Sequence, residues 1–282
     1  MSYKTILVHA DRSPHAAARM ALAIRVAAAC QAHLTASAYT GISRFAPLGD
    51  ALRKWPLVPE QMTIWREDAR ASLAAFESIA SAAHFDQHTR HLVEDDAESG
   101  LMRQAPCSDL LVLSQTAADV TSHGVIRDLP QNLLMHCGRP LLLVPSRIPA
   151  DAAAQGTFHH PLLAWDGSRQ AARAISDALP LLKLAQTLTL LVLNAEQHPS
   201  THGMEPGADM AMFLARHGVR IELMREFTTG EIGEALLSVA GERRCDLLVM
   251  GGYGHQRVRE AMLGGVTHTV LTGMTLPVLI SH

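Results

Sequence analysis

Apolar residues along this chain fall in short unbroken runs, separated by stretches of helical period. The runs TILVHAD at 5–11, HLTASAYT at 33–40, SDLLVLS at 108–114 and RPLLLVP at 139–145 have counterparts further on. These are PLLAWD at 161–166, LTLLVLNA at 188–195, CDLLVMG at 245–251 and LPVLISH at 276–282. Alanine-rich segments at 14–30 and 171–183 follow the first run of each set and repeat with helical spacing. Continuous rather than alternating apolar runs are the mark of parallel strands covered on both faces. The helical segments between them supply the crossovers that such strands need.

The two sets are copies of one pattern. Asp109 to Asp246 and Pro140 to Pro277 are both separated by 137 positions, whereas Asp11 to Asp166 is separated by 155. A shared offset over two distinct segments argues for an internal repeat, with about 18 extra residues in the first copy. The pattern predicts two consecutive α/β domains, 1–148 and 157–282. Each is expected to be a flavodoxin-like, five-stranded parallel sheet of order 3-2-1-4-5 with helices on both faces. Small and polar residues near 147–160 form the expected linker. Most of the extra length falls in 41–60, which has three prolines and Trp55 and reads as a long loop, either a tolerated insertion or a lid.

Composition narrows the function. Of 282 residues 48% are hydrophobic and 18% charged, enough apolar content for two cores, and the formal net charge is −3. That charge gives no basic footprint for DNA or RNA, and 4% aromatic residues supply few stacking platforms. Cys30, Cys107, Cys137 and Cys245 lie far apart, without a CxxC pair, as in a reducing compartment. No long apolar window suggests a signal peptide or membrane span, so a cytoplasmic location is expected. Sixteen histidines are scattered without zinc spacing, and no metal site is expected. Glu94, Asp95, Asp96 and Glu98 read as the acidic start of a helix, and Met204, Met210, Met212 and Met224 as core filling.

The chemistry is concentrated in the glycines of the second copy. Gly251 closes the CDLLVMG run, and Gly254, Gly264 and Gly265 follow, the last pair just before the apolar helical pattern of Val266, Val270 and Leu271. Glycines at a strand's carboxyl end let backbone approach a ligand, and a helix amino terminus favours a phosphate. In a 3-2-1-4-5 sheet the first and fourth strands meet at the switch point, so Ala164, Trp165 and Asp166 would line one crevice with Gly251. Asp166 can accept from a ribose hydroxyl or cap the helix after it. Neither a Walker loop nor a GxGxxG fingerprint is present.

The AWDGS start, the CDLLVMG strand, the G-x2-G-x9-G loop and the closing PVLI strand together resemble the universal stress protein family, and two copies resemble its tandem members. The resemblance implies an adenine-nucleotide-hydrolase-like fold and an adenine nucleotide as ligand, ATP or a relative, with Mg2+ as companion ion. It implies that Asp166 serves ribose or adenine and the Leu193 backbone the adenine edge. Gly251, Gly254, Gly264 and Gly265 would meet ribose and phosphates, with Val266 and Thr267 adjoining. It also implies a stress-response switch or scaffold without catalytic residues, and a homodimer. One departure stands out: the family has Ser or Thr directly after the last loop glycine, where this chain has Gly265. Thr267 could replace the lost hydroxyl.

The offset of 137 places Ser114, Ala117, Arg127 and Asp128 in the first copy where the second has its four glycines. The first copy is therefore expected not to bind nucleotide, with Asp128 repelling phosphate and Asp11 serving only as a helix cap. Two rival readings stay open at this point. One is a slow ATPase or adenylyl-transfer enzyme, with His255 near the phosphates; the other is an interaction module with both sites degenerate. The apolar LLLV and PVLI runs are expected to pair or pack, hiding edges that would otherwise aggregate.

Overall fold

The computed structural model describes residues 2–41, 59–115, 129–146, 158–197, 205–253 and 265–282. The long loop expected within 41–60, the linker, the loop residues Gly254, His255 and Gly264, and Ala117, Arg127 and Asp128 fall wholly or mostly outside these residues. The chain divides into two compact units, Tyr3–Arg139 and Pro140–His282.

The first unit runs β1 (Thr5–His9), α1 (Ala16–Cys30), β2 (His33–Tyr39), α2 (Pro59–Ala82), β3 (His88–Val93), α3 (Ala97–Gln104), β4 (Leu110–Ser114) and α4 (Leu129–His136). Its strands lie in the order β3-β2-β1-β4, all parallel. β1 and β4 are apolar and mostly buried, as central strands must be. β3, HTRHLV, is largely exposed because it is the sheet's edge and has a neighbour on one side only. Charged residues on such a strand discourage pairing with another chain. The acidic cluster splits by role. Asp96 caps α3 by accepting from Ser99 N–H, while Asp95 is fully buried and paired with Arg103 at 2.8 Å.

The second unit contains β5 (Leu141–Val144), β6 (Pro161–Ala164), α5 (Arg169–Leu182), β7 (Leu188–Leu193), α6 (Ala208–Arg216), β8 (Ile221–Glu226), α7 (Ile232–Glu242), β9 (Leu247–Gly251), α8 (Val266–Gly273) and β10 (Val278–Ser281). The order is β5-β10-β9-β6-β7-β8, parallel except that β5 runs antiparallel to β10, with Leu142 opposite Leu279. The α/β class and the 3-2-1-4-5 succession are as the pattern predicts, but two separate five-stranded parallel sheets are not what forms. The fifth run of the first copy joins the second unit as β10's antiparallel partner. Every residue of LLLV and VLIS is buried, and each strand would otherwise offer an unpaired apolar edge. The expectation that these runs pair is met. The core-filling expectation for the methionines is not met: Met212 stands exposed on α6, Met210 and Met224 are half-buried, and Met204 lies outside the described residues.

The copies share one backbone clip. Asp109 Oδ2 accepts from the N–H groups of Lys4 and Thr5 at 2.7 and 3.0 Å. Asp246 Oδ1 accepts from His160 N–H at 3.0 Å and its Oδ2 from His159 N–H. In both copies the aspartate before the fourth strand thus holds the chain entering the first. This gives a physical basis for its recurrence.

Candidate functional site

In the second unit the chain leaves β6 for β7 and β8 on one side, then returns to β9 and β10 on the other. The carboxyl ends of β6 and β9 therefore flank the topological switch point, where open α/β sheets bind ligands. Trp165 and Asp166 follow β6 directly. Asp166 is exposed, and its Oδ1 accepts from Ser168 N–H at 2.9 Å. The cap of α5 is Ser168, whose Oγ accepts from Ala171 N–H at 3.1 Å. Asp166 thus shapes the turn into the helix rather than capping it, and one carboxylate oxygen has no such bond to the turn.

Gly251 ends β9 under the first turn of α5. A Cβ there would stand 2.5 Å from Ala171 N and 2.6 Å from the Gln170 carbonyl carbon. Both are backbone atoms of the helix, so the requirement for glycine comes from helix-on-strand packing. Gly265 is glycine for another reason. A Cβ would meet nothing within 4 Å, but φ is +112° with ψ 174°, a region closed to side chains. That conformation explains why the residue preceding α8 is not Ser or Thr here: either would be strained. α8 has no side-chain cap, and its first-turn N–H groups add the dipole's positive end. Thr267 is buried, and its Oγ1 accepts from Tyr253 N–H at 3.1 Å, tying the start of α8 to the chain leaving β9.

Leu193 closes β7 and is half-buried. Asn194 follows in the left-handed region at φ 51°, with its Oδ1 accepting from Thr228 N–H at 2.8 Å. Asn194 was not among the residues singled out from sequence, although an asparagine after an apolar run is a signal for that conformation. The structure places Ala164, Trp165, Asp166, Leu193, Gly251, Gly265, Val266 and Thr267 at the carboxyl ends of β6, β7 and β9 and at the start of α8. Among the described residues no three His, Cys, Asp or Glu side chains are grouped to hold a metal, and no helix is long and apolar enough to cross a membrane.

The corresponding place in the first unit is filled. Arg19 of α1 is 1% exposed and reaches the carboxyl ends of β1 and β4. Its Nε donates to the His9 carbonyl at 2.8 Å, Nη1 to Ser114 Oγ at 2.7 Å and Nη2 to Asp11 Oδ1 at 2.8 Å. Asp11 Oδ1 also accepts from the Ser13 N–H and hydroxyl. The expectation that Asp11 only caps its helix is therefore corrected: α1 has no side-chain cap, and Asp11 is the counter-charge of a buried guanidinium. Burial alone would raise the Asp11 carboxyl, but Arg19, His9 and Ser13 together hold it well below the usual carboxylate range. Burial lowers the His9 imidazole to about 4, against an opposing pull from Asp11. By the repeat offsets, His9, Arg19 and Ser114 correspond to Ala164, Ala174 and Gly251. Ala174 escaped the sequence reading because nothing distinguishes it from the other alanines of its helix.

Strand–helix alternation around a switch-point crevice defines a doubly wound α/β protein. Residues 157–282 match the model of the universal stress protein family. Among curated proteins, universal stress protein Slr1230 of Synechocystis sp. is 24% identical over 155 residues, covering 55% of this chain and 48% of that protein. Universal stress protein YxiE of Bacillus subtilis is 29% identical over 147 residues, covering 44% of this chain and 98% of that one. The chain thus spans about half the length of the Synechocystis relative and nearly all of the Bacillus one. A solved universal stress protein from Archaeoglobus fulgidus has the same fold over 98% of this chain and 95% of its own, with a TM-score of 0.71 at 15% identity. The family match thus falls on the second copy, residues 157–282, and the solved structure shares the fold of both copies.

Proposed function

We propose that the second copy binds an adenine nucleotide, ATP or a relative with Mg2+ on its phosphates, at the carboxyl ends of β6 and β9. The chain then acts as a stress-response switch or scaffold rather than turning over substrate, and does so as a homodimer. The observation that carries this reading is the bare residue set of the crevice. Ala164 and Ala174 carry only a methyl group where the first copy has His9 and Arg19. The N–H groups at the start of α8 suit a phosphate, and the Asp166 carboxylate suits a ribose hydroxyl. The match of residues 157–282 to the universal stress protein family supports the same ligand class.

Calorimetric titration of the full chain with ATP, ADP and AMP tests the reading. One site per chain is expected. Gly254→Glu should abolish binding by placing a carboxylate against the phosphates, and Asp166→Ala should weaken it about tenfold, the worth of one hydrogen bond to a charged group. Absence of binding by all three adenylates overturns the proposal. Rapid multiple turnover of ATP overturns the switch-or-scaffold part, and a monomeric mass by light scattering overturns the dimer.

A further inference from the structure

We propose that the crevice of the first copy is a built guanidinium site whose resident ligand is the chain's own Arg19. The acceptors do not belong to the helix that carries Arg19. One is a backbone carbonyl at the end of β1, one a carboxylate in the turn after β1, and one a hydroxyl at the end of β4. They come from two segments, the end of β1 with the turn after it and the end of β4, and each accepts from a different nitrogen at 2.7 to 2.8 Å. That is the fork of a planar guanidinium; an ammonium, being a point donor, could not meet all three. The charges also balance, since the buried cation faces Asp11, which its surroundings keep ionised. His9 stands 3.6 Å from the other Asp11 oxygen, and its ring is tilted against Tyr39 at 5.5 Å, closing that side.

The site should therefore accept a free guanidinium once the side chain is cut back. Arg19→Ala leaves the half-buried Asp11 without its partner, and the melting temperature of the first unit should fall by about 10 °C. Methylguanidinium at millimolar concentration should raise the variant's melting temperature saturably and leave the unsubstituted protein unmoved. Ammonium, urea and sodium chloride at the same concentration should not. If Arg19→Ala does not accumulate as soluble protein, its refolding yield from urea is read with and without methylguanidinium, and recovery is expected with it alone. Adding Asp11→Asn to Arg19→Ala should abolish the rescue, which mere filling of a cavity would survive. No guanidinium-specific recovery in either measurement, or a rescue indifferent to Asp11→Asn, overturns the proposal. Nucleotide binding by the second copy has no part in these readouts.

Discussion

Gly251→Ala adds one methyl group at the end of β9, and the structure leaves no space for it. The new Cβ would lie 2.5 Å from Ala171 N, 2.6 Å from the Gln170 carbonyl carbon and 2.8 Å from Gln170 Cβ. Ordinary contact begins about 1 Å further out, and two of these three atoms are helix backbone that no rotamer change can move. The first turn of α5 must therefore shift as a body. Overpacking of this kind costs roughly 1–3 kcal/mol. Displacing the turn also loosens the Ser168 cap, which contributes about 1 kcal/mol. The expected loss is about 3 kcal/mol, read as a lower urea midpoint by far-ultraviolet circular dichroism. Two further glycines give the scale. At Gly265 the Cβ is free but φ is +112°, so Gly265→Ala should cost about 1–2 kcal/mol through strain alone. At Gly241, exposed in α7, nothing lies within 4 Å and no positive φ is needed, so Gly241→Ala should stabilise by about 0.5–1 kcal/mol. The predicted order of stability is Gly241→Ala, unsubstituted protein, Gly265→Ala, Gly251→Ala. A Gly251→Ala midpoint within about 0.5 kcal/mol of the parent would refute the contact argument.

Acid should weaken the first unit before the second. His9 has a folded pKa of about 4 against an ordinary 6.5, so below 6.5 the unfolded chain takes up a proton that the folded one refuses. Stability is then full above pH 6.5 and falls by up to about 3 kcal/mol on the way to pH 4, a slope that His9→Gln should remove in urea titrations at stepped pH. The Asp11 carboxyl, held low in the fold, contributes stability present above the normal carboxylate range and lost below it, so Asp11→Asn should flatten the more acidic part of the same curve. Asp109→Ala and Asp246→Ala should each cost about 1–2 kcal/mol by stripping two backbone N–H groups of their acceptor, and faster amide exchange at Thr5 and His160 would report it.

How much could be seen in the sequence depended on where each element sits in its sheet. The strands β1, β6 and β9 each have a strand on either side and, like β4, are mostly buried, so their sequences are uninterrupted apolar runs. The edge strands β3 and β8, HTRHLV and IELMRE, are exposed along much of their length and carry no such run. Their form comes from pairing with β2 and β7, which is a property of the assembled sheet. Gly251 and Gly265 stand out in the sequence because glycines between an apolar run and a helical pattern are locally distinctive. Arg19 does not, since an arginine in AAARMALAIR reads as a solvated charge until the fold turns it inward. Gly251 was found, but its reason was not: the atoms that forbid a side chain belong to a helix some 80 residues earlier.

The antiparallel pairing of β5 with β10 bears on dilution. Each strand is the closing element of its copy, and each satisfies the other's hydrogen-bonding edge within one unit. Were the two strands on separate polypeptides, their meeting would be a second-order event governed by abundance. Placed in one polypeptide, they meet in an intramolecular step whose effective concentration does not depend on abundance. The contact therefore persists at any expression level, and these two facing edges stay closed even when the protein is scarce.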